Sequence, residues 1–339
     1  MPCLRRRLTG CRRALLMGLA VLVLAPCAAA GAAEPPVKSG QKIAFLGDSI
    51  TEQGVAPLGY VSLTIAGLKA NGIEVTAIGA GVSGHKSNDM LARVDGVLNR
   101  KPDWMTLSCG VNDVWHGARG VPLEQYKTNI TAIVDKAQAA NVKVMILTAT
   151  VIGEDLANPN NQKLATYNDF LRALAKEKNC LLADLNADFQ TIIKASPKPG
   201  NVLTGDGVHM NVNGNQAMAK SVLKGFGLDE AQLARATEAW LDLPNAIEYR
   251  PALQGSVRLT LRQQQRLEAF AAKHKLTTDQ MIRALYGADL TDGGSAKTAE
   301  EIAAFLDKPD RKDAAALLQE RLTQRIEELK KLRGEEAGK

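Results

Sequence analysis

Cysteine is scarce where it would matter. Of five cysteines in 339 residues, Cys3, Cys11 and Cys27 fall at the start of the chain, which leaves Cys109 and Cys180 for the remainder. That excludes a disulfide scaffold and a cysteine-ligated metal site. Cys109 closes an apolar, strand-like run and Cys180 opens another. In a parallel sheet those positions lie at opposite ends, too far apart to bridge. Aromatic residues are only 4% of the chain, thin for an extended stacking groove, and there are four histidines to choose among. Beyond residue 33 no apolar run reaches the roughly 20 residues a membrane-spanning helix needs. With 45% apolar and 23% charged residues, the chain is neither disordered nor short of core material.

Acidic residues are missing from residues 1–33, which hold five arginines (Arg5, Arg6, Arg7, Arg12 and Arg13). Subtracting them from the 42 Lys plus Arg leaves 37 against 36 acids, so the net charge of +6 falls to +1. A nearly neutral body cannot rely on counterion release from a polyanion, and nucleic acid is excluded as the expected partner. The arginines precede an apolar run, Ala14–Ala25, then Ala28–Ala33 and Glu34-Pro35-Pro36. A charged start, a short apolar centre and a small-residue exit predict a signal peptide over residues 1–33, and hence an exported mature protein without a membrane span. A retained anchor is the alternative. Lipidation at Cys27 is disfavoured because Pro26 stands where a small residue is wanted.

From residue 42 short apolar runs alternate with longer stretches of helical periodicity. The predicted strands are Lys42–Leu46, Glu74–Ile78, Trp104–Cys109, Lys143–Thr148 and Leu181–Leu185. Predicted helices lie near 59–70, 87–99, 123–140, 160–178 and 214–224, the last capped by Asn213. This alternation predicts a five-stranded parallel sheet covered on both faces, over a domain spanning 34–245. From about Arg250 the character changes. Pro244 and Pro251 bracket a break, no strand is predicted beyond it, and helices are expected near 260–274, 278–286, 298–307 and 312–333. Thr277 with Gln280 and Thr298 with Glu301 have capping-box spacing, and Leu318, Leu322, Ile326 and Leu329 form an apolar stripe. Residues 250–339 therefore read as a helical extension that packs on the main domain or meets a protein partner.

In a parallel sheet, ligands bind beyond the carboxyl ends of the strands. There the chain carries Gly47-Asp48-Ser49-Ile50-Thr51, Gly79-Ala80-Gly81-Val82-Ser83-Gly84-His85 and Gly110-Val111-Asn112-Asp113, with Gly205-Asp206-Gly207-Val208-His209 later. Acyl transfer needs a nucleophile, a base, a group that orients the base and donors for an oxyanion. Ser49, His209 and Asp206 fit the first three roles. Their spacing lets Asp206 and His209 share one loop. The N–H groups of Ser49 and Gly84 and the Asn112 amide can supply the fourth. Asp48 reads as the residue holding the serine turn, and Asn88 and Asp89 as the opening of a helix.

These four blocks, in this order, resemble the SGNH hydrolase, or GDSL esterase/lipase, superfamily. Its four name-giving residues fall on Ser49, Gly84, Asn112 and His209, and Asp206 completes the triad through the Asp-x-x-His motif. Ile50 replaces the leucine of the family's nickname, and Gly79 stands where asparagine is frequent. Gly81 is an alternative oxyanion donor to Gly84. The Gly-x-Ser-x-Gly elbow of other hydrolases is absent, since residue 51 is threonine. The resemblance covers residues 42–225 and continues to about 245. It implies a flavodoxin-like three-layer α/β/α sandwich and hydrolysis of carboxylic esters through an acyl-serine, without metal or cofactor.

His85, Trp115 and His116 follow the second and third blocks and either contact substrate or serve the surface and core. The run Val111–His116 looks like that of bacterial members associated with carbohydrate esters, so an acetylated saccharide is the expected substrate. A lysophospholipase or thioesterase acting on longer acyl chains is the alternative, and a non-catalytic envelope-binding module a further one. Asp184 and Asp188 are rival orienters for His209, and His274 reads as a solvated residue of the tail.

Overall fold

The computed structural model describes residues 34–197, 200–252 and 255–273. The predicted signal segment, His274 and the helices expected beyond it lie outside them. The main sheet is built from β1 (Lys42–Gly47), β2 (Thr76–Gly81), β3 (Trp104–Ser108), β4 (Lys143–Leu147) and β5 (Leu181–Ala183). All neighbours are parallel, in the order β2-β1-β3-β4-β5. β1, β3 and β4 are buried along nearly their whole length, as strands covered on both faces must be. Phe45, Leu46, Met105, Ile146 and Leu147 are each within 1% of complete burial. Each such side chain contributes roughly 1.5–3 kcal/mol by leaving water.

One face of the sheet is covered by α2 (Tyr60–Ala70), α8 (Val212–Gly225) and α9 (Glu230–Trp240), with α7 (Leu185–Ala195) against α8. The other is covered by α3 (Ser87–Leu98), α5 (Leu123–Ala139) and α6 (Pro159–Glu177). Trp240 is buried and donates from its indole nitrogen to the Leu63 carbonyl at 2.8 Å, tying α9 to α2. Two short helices, α1 (Ser49–Gly54) and α4 (Val111–Trp115), follow β1 and β3 directly. The three-layer α/β/α architecture is as expected.

Several boundaries differ from expectation. The second strand begins at Thr76 rather than Glu74 and runs through Gly81, because its glycine-rich end stays paired with β1 (Phe45 with Gly79, Gly47 with Gly81). Leu185 opens α7 instead of closing β5, and α8 starts two residues early. Its cap is Asn211, whose side-chain oxygen accepts from the Gly214 N–H at 3.0 Å, whereas Asn213 lies inside the helix. After Pro244 the chain forms an antiparallel hairpin, β6 (Pro244–Ala252) with β7 (Gly255–Thr260), where no strand was expected; α10 (Leu261–Lys273) follows. Prolines at 244 and 251 look like breaks but are tolerated in a two-stranded ribbon, which leaves outward N–H positions unpaired. Cys109 and Cys180 are both free thiols.

Candidate active site

The turn after β1 sets the first residue of the site. Asp48 caps α1, its Oδ1 accepting from the Ile50 N–H at 3.0 Å, which places Ser49 as the first helical residue. The Ser49 N–H, like others in a first turn, has no intrahelical acceptor. Asp48 is 2% exposed, and burial raises its carboxyl from 3.8 to about 6, partly opposed by the bond from Ile50. The folded chain therefore binds this proton more tightly than the unfolded chain does. The contribution of this group to stability is greatest below pH 4, falls as pH rises through the window from 3.8 to about 6, and levels off above it. The loss amounts to at most about 3 kcal/mol at 1.4 kcal/mol per pH unit. Asp48→Asn removes the titration while its amide oxygen keeps the cap. Urea denaturation at pH 4 and pH 7 is expected to show the variant gaining on the wild type as pH rises. Parallel pH curves would assign the wild-type slope to other groups.

The other half of the site sits on the loop between α7 and α8. His209 Nδ1 lies 2.7 Å from Asp206 Oδ2, and His209 Nε2 lies 2.9 Å from Ser49 Oγ, across 160 residues of sequence. Asp206 Oδ1 also accepts from the N–H groups of Val208 and His209, at 2.9 and 2.7 Å. Partial burial raises the Asp206 carboxyl, but the bonds from the His209 ring and from the two peptide groups outweigh it and bring it to about 2. Asp206 is thus a carboxylate at any working pH. It accepts the Nδ1 hydrogen, which leaves Nε2 as an acceptor facing the Ser49 hydroxyl. Such a relay can take a proton from Ser49 as its oxygen attacks an acyl carbon.

The second and third blocks meet at Asn112. Its amide nitrogen donates to the His85 carbonyl at 3.1 Å and lies 3.4 Å from Asp48 Oδ2. This side chain joins the loop holding Gly84 to the residue before Ser49. Gly84 is exposed, with φ of +75°, a left-handed conformation suited to glycine. Gly81, the alternative donor, has a different task. A Cβ there would stand 2.1 Å from the Glu52 nitrogen, so glycine lets the end of β2 pass close to α1.

Two positioning side chains were not singled out in the sequence. Glu52, one turn beyond Ser49 on α1, accepts from both the N–H (2.9 Å) and the hydroxyl of Ser83 and so fixes the approach to Gly84. Arg93 donates to the carbonyls of Gly47 (2.8 Å) and Ala80 (2.9 Å) and to His85 Nδ1 (3.0 Å). It sits among Met90, Val94 and Val97, the buried stripe of α3, and an arginine inside an apolar helical stripe was the available signal. Because arginine does not give up its proton, His85 Nδ1 must accept, so Nε2 carries the ring hydrogen and His85 is a donor. Below the site, Asp113 accepts from the N–H and hydroxyl of Ser87, at 2.9 and 2.6 Å, locking the start of α3 to α4.

Trp115 is 44% exposed, and its ring stacks on His116 with centroids 6.1 Å apart. The alternative of a core tryptophan is thereby corrected: the one-and-a-half-turn α4 buries Val111 and Val114 and turns Trp115 outward. Asp184 and Asp188 do not orient His209. Asp184 pairs with Arg172 at 2.8 Å and caps α7, and Asp188 accepts from the Ser221 hydroxyl. Among the described residues no group of His, Cys, Asp and Glu side chains is placed to hold a metal ion, and no helix is long and apolar enough to cross a membrane.

Residues 45–217 match the model of the GDSL-like lipase/acylhydrolase family. The chain is 27% identical over 214 residues to an acetylxylan esterase of Geobacillus stearothermophilus, covering 57% of this chain and 97% of that one. It is 32% identical over 139 residues to the esterase TesA of Pseudomonas aeruginosa, covering 40% and 63% respectively. Among solved structures, the acetyl xylan esterase AlAXEase superposes with a TM-score of 0.52 at 36% identity, covering 54% of this chain and 98% of its own.

Proposed function

The chain belongs to the GDSL-like lipase/acylhydrolase family and is a carboxylic ester hydrolase, and from that premise we propose that Ser49 is its nucleophile and an acetylated saccharide outside the cytoplasm its substrate. The observation that carries the first part is the relay from Asp206 through His209 to Ser49 Oγ, with both contacts at hydrogen-bond distance. In this reading His209 Nε2 takes the hydroxyl proton as Ser49 Oγ bonds to the ester carbonyl carbon. The new oxyanion is met by the N–H groups of Ser49 and Gly84 and by the Asn112 amide. The Asn112 hydrogen on the long 3.4 Å contact to Asp48 is the one available for exchange. The tetrahedral centre collapses, the C–O bond to the alcohol breaks, and His209 returns its proton to the departing oxygen. Water then attacks the acyl-serine, giving one proton to His209, and the acid leaves as the Ser49 hydroxyl re-forms.

The substrate reading rests on the solvent-facing Trp115, which offers a flat apolar face of the kind a sugar ring packs on, and on His85, whose Nε2–H can donate to a hydroxyl or carbonyl. The names of two relatives, both acetylxylan esterases, point the same way. Export rests on the arginine-led, apolar N-terminal segment. One preparation tests both. Protein recovered from outside the cytoplasm is expected to begin near residue 34 and to cleave p-nitrophenyl acetate and acetylated xylan, with kcat/KM falling at least about tenfold between acetyl and octanoyl esters. A steep preference for the long chain would replace the saccharide reading with the lysophospholipase or thioesterase one, and a mature chain that retains residues 1–33 would overturn export.

A further inference from the structure

We infer that Glu154 is a positioning residue for the acid–base pair, holding in place the loop that carries Asp206 and His209; this rests on the reading of those two residues given above. Glu154 lies between β4 and α6, half-buried, and its hydrogen bonds go to Val202, Leu203 and Thr204 rather than to Ser49, Asp206 or His209. Its Oε2 accepts from the Val202 N–H at 2.6 Å. Its Oε1 accepts from the N–H groups of Leu203 (2.8 Å) and Thr204 (2.7 Å) and from the Thr204 hydroxyl (2.7 Å). Three consecutive peptide N–H groups turned to one side repel one another unless an anion sits between them. The carboxylate is that anion, and Asp206 follows two residues after the last donor.

The same segment grips the loop a second time. The Gly153 N–H donates to the Gly207 carbonyl at 2.7 Å, so the backbone is held on both sides of Asp206. Residues 152–154 are themselves fixed from the start of α6. Asn161 accepts from the Ile152 N–H at 2.8 Å and donates to the Gly153 carbonyl at 2.9 Å, and Asn158 donates to the Ile152 carbonyl at 2.7 Å. Within the loop, the Gly205 N–H donates to the His209 carbonyl at 2.8 Å and Thr204 bridges Met210. Those internal bonds set the loop's shape, whereas Glu154 sets where that shape stands relative to the distant Ser49. Placement decides the 2.9 Å reach from Nε2 to Oγ, and a misplacement of about 1 Å at such a contact can cost on the order of 100-fold in rate.

The test compares full-length Glu154→Ala and Glu154→Gln with the wild type in p-nitrophenyl acetate kinetics. Amide hydrogen exchange over residues 201–209 and the low-field proton resonance of the His209–Asp206 bond are followed alongside, and His209→Ala runs in parallel. Glu154→Ala is expected to lose about 100-fold in kcat with KM within about threefold, to exchange faster at residues 202–204 and to lose the low-field signal. Glu154→Gln keeps one accepting oxygen but turns an NH2 toward a peptide N–H, and is expected to lose about tenfold. It also supplies the measurement should the alanine variant not fold. Wild-type kcat in a variant whose loop exchanges faster would overturn the proposal, as would a loss confined to KM or a low-field signal that persists. If His209→Ala retains turnover, the acid–base reading itself fails; if that variant is inactive while Glu154→Ala is fully active, only the role of Glu154 fails.

Discussion

Replacing Ser49 with alanine is expected to reduce p-nitrophenyl acetate hydrolysis by roughly four to six orders of magnitude in kcat, leaving only the residual turnover that the oxyanion donors and binding supply. The fold should survive the change. The hydrogen bond from the Ser49 hydroxyl goes to His209, while Asp48 holds the turn through the Ile50 N–H, which the substitution leaves untouched. Thermal unfolding is therefore expected to shift by no more than about 1 kcal/mol. A fluorophosphonate probe that labels the wild type at Ser49 should leave the variant unmodified. Wild-type turnover in the alanine variant would remove Ser49 from the nucleophile's role, and labelling at another serine would name its replacement.

Asp206→Asn is the second large effect, and its cause is different. The amide oxygen can still accept from the N–H groups of Val208 and His209, so the loop keeps its local turn. The amide nitrogen, however, replaces the oxygen that lies 2.7 Å from His209 Nδ1 and sets two donors against each other. The ring escapes by moving its hydrogen to Nε2, which then donates to Ser49 and can no longer take its proton. A loss on the order of 10,000-fold in kcat is expected, with KM and thermal stability nearly unchanged. The rate of fluorophosphonate labelling should fall in parallel. An asparagine variant with kcat within tenfold of wild type would show that His209 does not depend on Asp206 for its tautomer.

The fold was legible because its signals are local. Apolar runs at β1, β3 and β4 are bounded by turns, and the helices between them carry a regular apolar stripe, so element type and order emerge from periodicity alone. The short helices α1 and α4 were hidden because the residues that make them also carry the polar blocks, which read as turns. The hairpin at Pro244–Thr260 was hidden because strand pairing is a property of two segments, and neither alone shows a clean alternation. Of the site, Asp206 and His209 were legible as a pair through their spacing, and Ser49 through its block. Glu52, Arg93 and Glu154 were not. Each acts on a partner far away in sequence or on a peptide group whose direction no side-chain pattern records.

The separation of Ser49 from His209 also orders events at the ribosome. All five strands of the sheet have been synthesised once residue 183 is made, yet the imidazole belongs to residue 209 and its loop docks against a segment already in place. Domains form progressively as the chain emerges from its N-terminus. A nascent chain that ends before residue 209 also lacks α8 and α9, so the Ser49 hydroxyl meets its imidazole partner only as one face of the sheet is being covered, late in the making of the molecule.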